Sequence, residues 1–172
     1  RLERSKNQFQ KGMKLINELF EVKCKLLIIR EDFALKAETN LSLKDLKKLM
    51  SKFLKKILVN KGELQGIEGY IWKLEYGADK AFHYHMIFFL DESNHRQDIK
   101  IAESIGEMWK HEITQGKGIY WNCNAKKKHY EKNGRVATGK IKHDDHELRE
   151  NLNIMASYLT KPDYFVKLTL SD

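Results

Sequence analysis

Proline is almost missing from this chain, with one in 172 residues, and neither an internal repeat nor a low-complexity tract interrupts it. So few breakers point to one domain, long enough to bury a sizeable core. Cysteine is nearly as scarce. Cys24 and Cys123 stand far apart with no Cys-x-x-Cys pair, which gives no support to a disulfide framework and fits reduced thiols in a cytosolic protein. It also excludes a zinc deaminase: His129-Tyr130-Glu131 supplies the His-x-Glu half of that signature, but no paired cysteines supply the other. No run reaches the ~18 consecutive apolar residues of a membrane span, and the start lacks a basic-then-apolar leader. A soluble, intracellular protein with no membrane partner is therefore expected. The chain opens on Arg1 rather than Met, so residues 1–172 are expected to be a single domain excised from a longer chain.

Basic charge is present in excess. Lys and Arg total 32 against 24 acids, for a formal net charge of +8. Such a surface attracts polyanions without specifying which one.

Apolar spacing sketches the elements. Phe9, Met13, Ile16, Leu19 and Phe20 recur at three and four, predicting an amphipathic helix over about residues 2–20. Cys24 to Ile29 reads as a short central strand ended by charged Arg30-Glu31-Asp32. Ser42 caps a helix running to about Leu58. Gly66–Tyr76 and Phe82–Asp91 are aromatic and β-branched runs that form an antiparallel hairpin. Asp98 to about Thr114 is helical in pattern, and Ile119–Cys123 is a strand. From Asn124 to about Asp144 a lysine-rich loop is expected, with Lys126, Lys127 and Lys128 as candidate mobile contacts to a phosphate backbone; their bland meaning is a solvated surface. Asp144 or Asp145 caps a last helix that ends at Lys161 before Pro162, and Tyr164–Leu170 is a closing strand or an extended tail. The class is α+β: a central antiparallel sheet of four or five strands with helices packed on it.

The chemistry concentrates at two places. His83 and His85, two apart on a strand, project from one face, and the hairpin brings Glu75 close to them. Two imidazoles and a carboxylate suit a divalent first-row metal and leave coordination positions open for substrate oxygens. Ile87 and Phe89 continue that face as apolar residues, so a helix is expected to cover it beyond the histidines. Tyr158 and Lys161, three apart on a helix, set a phenol beside an ammonium. A phenol of pKa near ~10 needs help to attack, and the metal and Lys161 are the available helpers. Lys161 either favours the phenolate or donates to the phosphate as charge develops. Attack by tyrosine rather than water conserves the energy of the broken phosphodiester, which turns the reading from hydrolysis to nicking and joining. His143-Asp144-Asp145-His146 also gathers metal-type ligands, though helix capping explains its position equally well.

Three stretches carry a resemblance: Leu26-Leu27-Ile28-Ile29-Arg30; Tyr70 to Gly77 with Glu75, followed by His83-Tyr84-His85; and Tyr158-Leu159-Thr160-Lys161. Over most of its length the chain resembles the HUH endonucleases, in particular the rolling-circle replication initiators of the inovirus replication-protein type from filamentous phages and prophages. The resemblance implies an RRM-like palm, Mg²⁺ or Mn²⁺ on Glu75, His83 and His85, and Tyr158 as nucleophile with Lys161 assisting. It further implies a cut in single-stranded or locally unpaired origin DNA that leaves a 5′-phosphotyrosine and a free 3′-hydroxyl. The setting would be the cytoplasm of a bacterial host, with host replication proteins as further partners. Where some members carry a second catalytic tyrosine one turn earlier, this chain has Ile154, so a single-tyrosine enzyme is expected; Tyr164, beyond Pro162, is a weak second candidate. The competing readings are a non-catalytic DNA-binding domain, a relaxase (which usually presents a third histidine where Glu75 stands) and a transposase of the same superfamily.

Overall fold

Four consecutive buried residues, Leu26 to Ile29, demand a strand covered on both faces. In the computed structural model residues 2–59, 62, 64–77, 81–92, 97–131, 137–160 and 169–170 are described. Helix α1 (Leu2–Val22) leads into β1 (Lys25–Leu35), then α2 (Leu43–Leu58), β2 (Ile67–Gly77), β3 (Ala81–Asp91), α3 (Asp98–Glu107), β4 (Gly118–Asn122), α4 (Lys127–Glu131), β5 (Gly139–Lys142), α5 (His146–Leu159) and β6 (Thr169–Leu170). The sheet is antiparallel, in the order β4-β1-β3-β2-β6, and β5 pairs with the first half of β1 on the same side as β4. It has the expected α+β architecture, compatible with an RRM-like palm: five strands of four residues or more, plus a two-residue sixth.

Helices cover both faces. On one, α2 and α3 pack Phe53, Ile57 and Ile105 against Phe33, Tyr84 and Phe88, with Trp109 edge-on to Phe33 at 5.6 Å. On the other, α1 and α5 set Leu15, Ile16, Leu152 and Met155 against Ile28, Ile71, Ile87 and Phe89. The apolar continuation of the histidine face is therefore covered by helices, as the alternation requires.

Three boundaries differ from the sequence reading. Charged Arg30-Glu31-Asp32 does not end β1, which runs 11 residues to Leu35; hydrogen-bonded partners on both sides hold the backbone extended there. The helix begun at Asp98 passes into a π-helical turn over Met108–Ile113, closed by Thr114 Oγ1 donating to the Trp109 carbonyl at 2.9 Å. Much of the lysine-rich stretch is regular: Asn124–Lys126 is a 3₁₀ turn, α4 follows, and β5 pairs Lys25–Ile28 with Gly139–Lys142. Two caps match expectation: Ser42 with Asp45 makes a reciprocal capping box, and the Asp145 carboxylate accepts from Leu148 N–H at 3.0 Å.

Candidate active site

Register decides which side chains meet. Across the sheet Asp32 is opposite His85 and His85 opposite Lys73, while one row nearer the turn Ala34, His83 and Glu75 align. Partners in register share a face, so Asp32, Lys73, Glu75, His83 and His85 all project toward the α1/α5 side. The group lies near the turn end of the hairpin, where β2 and β3 close at Gly77 and Ala81, rather than at its centre.

Hydrogen bonding fixes the histidine protons. His85 Nδ1 is 2.7 Å from Asp32 Oδ1 and His83 Nδ1 is 3.2 Å from the Ala81 carbonyl. A carboxylate and a carbonyl only accept, so each Nδ1 carries a proton and donates. In neutral rings both Nε2 atoms then present lone pairs to the same point. They stand 3.1 Å apart, with Glu75 Oε2 at 2.8 Å from His85 Nε2 and 3.8 Å from His83 Nε2. Three acceptors converging without a donor call for a cation, and the mixed nitrogen and oxygen set suits a divalent metal. Glu75, His83 and His85 thus form a group able to hold a metal ion, with ligand atoms all within 4.8 Å of one another.

Electrostatics favour the ligand forms. Burial pushes the His83 imidazole below its ordinary value, so it is neutral near pH 7. Burial works to raise the Glu75 carboxyl, but the His85 hydrogen bond and the Lys73 charge outweigh it and hold the group below the usual carboxylate range. Lys73 Nζ is 3.5 Å from Glu75 Oε1, the oxygen turned away from the histidines.

Tyr158 joins this group from α5. Its ring centroid is 6.3 Å from that of His85, edge-on, and the residue is 43% exposed. Burial of part of the ring raises the phenol, Glu75 raises it further, and Arg30 opposes them. Lys161, like Pro162 and Tyr164, lies outside the described residues. The structure brings Glu75, His83, His85 and Tyr158 together; of the lysine triple, Lys126 and Lys128 are exposed while Lys127 is tied to Asp98 at 2.7 Å. Asp32 and Lys73 were not singled out from sequence. Alternation with Glu75 was a usable signal for Lys73, whereas Asp32 depends on cross-strand register.

Among the described residues no helix is long and apolar enough to cross a membrane. Comparison with curated proteins and with solved structures yields no match. A family model described as replication-associated protein ORF2 matches residues 33–163.

Proposed function

The chain belongs to the replication-associated protein ORF2 family, and on that premise we propose that it nicks and rejoins single-stranded DNA through a covalent 5′-phosphotyrosine, initiating rolling-circle replication. The observation that carries the proposal is the approach of the Tyr158 ring to within 6.3 Å of His85, itself one of a ligand trio.

In this reading the Tyr158 oxygen attacks the scissile phosphorus. The new bond is tyrosine oxygen to phosphorus, the bond broken is phosphorus to O3′, and the departing O3′ takes a proton to become the 3′-hydroxyl that primes synthesis. Joining is the reverse, with the 3′-hydroxyl expelling tyrosine and no ATP consumed. Glu75, His83 and His85 would hold Mg²⁺ or Mn²⁺, which when bound polarises the phosphate as a Lewis acid. Asp32, by holding His85 Nδ1–H, keeps the Nε2 lone pair aimed at the ligand position. Lys161, three residues after Tyr158, is the proposed helper for the developing charge, and Lys126 and Lys128 are proposed backbone contacts. The substrate is single-stranded or unpaired because the target phosphate has to reach side chains recessed beside α5.

The test is incubation with a randomised, 3′-labelled single-stranded DNA pool and Mn²⁺, followed by denaturing electrophoresis. Label should travel with the protein, disappear in Tyr158→Phe, and not appear when the same sequences are presented as intact duplex. Binding without adduct, under conditions in which a related initiator cleaves, would favour a non-catalytic DNA-binding domain instead.

A further inference from the structure

Lysine is among the residues least often fully buried, and a buried ammonium persists only where something compensates for its lost hydration. Lys73 is 2% exposed, on the interior of β2, at a position flanked along its own face by Ile71 and Glu75. Two partners surround it. Glu75 Oε1 lies 3.5 Å from Nζ, and the Tyr158 ring centroid lies 4.8 Å from it, within cation–π range. The ring thus sits between an ammonium and the edge of His85, whose own strand neighbour in register is Lys73.

From this geometry we propose that Lys73 is a positioning residue for the nucleophile: its buried ammonium docks the Tyr158 ring at the site and turns Glu75 so that the other carboxylate oxygen faces the histidines. The proposal rests on Tyr158 being the nucleophile. Tyr158 stands in the last turn of α5, where Thr160 already caps the helix, so backbone hydrogen bonding alone does not fix a 43% exposed ring over the sheet. An ammonium beneath one face of the ring does, and it works from the sheet side, independently of any lysine that follows on the helix. Because Lys73 is covered, it takes no part in gripping the DNA backbone. Its effect falls on the rate of attack.

Two measurements on Lys73→Met and Lys73→Arg test this, with Lys73→Gln as a second neutral variant should methionine impair folding. In the first, protein carrying 3-fluorotyrosine is examined by ¹⁹F NMR, with the Tyr158 resonance assigned from Tyr158→Phe. Lys73→Met should move and broaden that resonance, and Lys73→Arg should restore most of its position. A Tyr158 resonance indifferent to loss of the ammonium overturns the proposal, leaving Lys73 as a partner of Glu75 alone. In the second, adduct formation on single-stranded DNA should slow by about 100-fold in Lys73→Met, the scale of loss expected when a reacting group is misplaced by about an ångström. The Kd for DNA should stay within about two-fold, since a covered cation releases no counterion from phosphate. A wild-type adduct rate in Lys73→Met, or a fall in DNA affinity matching the fall in rate, also overturns it. If the wild-type protein forms no adduct at all, the nickase reading fails, and the fluorine measurement still decides whether Lys73 docks the ring.

Discussion

A histidine offers a lone pair to a cation only if its other nitrogen has somewhere to send a proton, and for His85 that acceptor is Asp32 at 2.7 Å. Asp32→Asn keeps the shape but lets the amide nitrogen compete for the same place and weakens the acceptor. We expect Mn²⁺ affinity to fall about 10- to 100-fold, as for other carboxylates placed behind a metal-binding imidazole, with a cooperative thermal transition retained. Titration of free Mn²⁺ by electron paramagnetic resonance reads it, and unchanged affinity would remove Asp32 from the site. At this scale the sequence was informative wherever chemistry and spacing coincide. His83 and His85 declare a shared face by being two apart, and Glu75 follows from the hairpin. Asp32 was read as the polar end of a strand, because its use depends on which residue of β3 lies opposite, and a pairing register is a tertiary fact.

Among the elements, β1 carries the largest surprise. A run of Arg-Glu-Asp ordinarily closes a strand, yet here it crosses the middle of the sheet with Asp32 on the metal-type face and Glu31 buried on the other. Neither Glu31 oxygen has a hydrogen-bond partner among the described residues. Burial, and secondarily the charge of Asp32, holds its carboxyl well above the usual range. An acid whose folded value is raised binds more protons folded than unfolded, so the folded state loses stability as pH climbs from the unfolded value through the folded one. Glu31→Gln removes that loss. Its Tm should exceed the wild type's at pH 8 by on the order of a few degrees, and the gap should close toward pH 4, where the wild-type carboxyl is protonated in both states. Equal melting temperatures at pH 8 would contradict a buried, neutral Glu31. Helices α1, α2 and α5 were legible because their apolar stripes repeat at three and four and because Ser42 and Asp145 mark starts. Strand β5 was not, because its four residues, Gly-Lys-Ile-Lys, hide one buried isoleucine among lysines.

For the whole molecule, the sheet works as a platform with unequal faces. One side is filled by α2, α3 and the aromatic cluster around Trp109; the other is closed by α1 and α5 over the apolar residues and exposes polar chemistry only near the hairpin turn. That division explains how groups more than seventy residues apart in sequence, Glu75 and Tyr158, come to interact, and it ties the replication-associated family to a definite chemical proposal. The excess of basic charge serves association with DNA and says nothing about which bond is cut. The decisive measurement is therefore the site of covalent attachment: react the protein with single-stranded DNA and Mn²⁺, digest both components, and sequence the nucleotide-bearing peptide by mass spectrometry. A nucleotide joined through its 5′-phosphate to Tyr158 is the expected result. Cleaved DNA with free 5′-phosphates and no protein-bound nucleotide, or a nucleotide carried by another residue such as Tyr164, would contradict it.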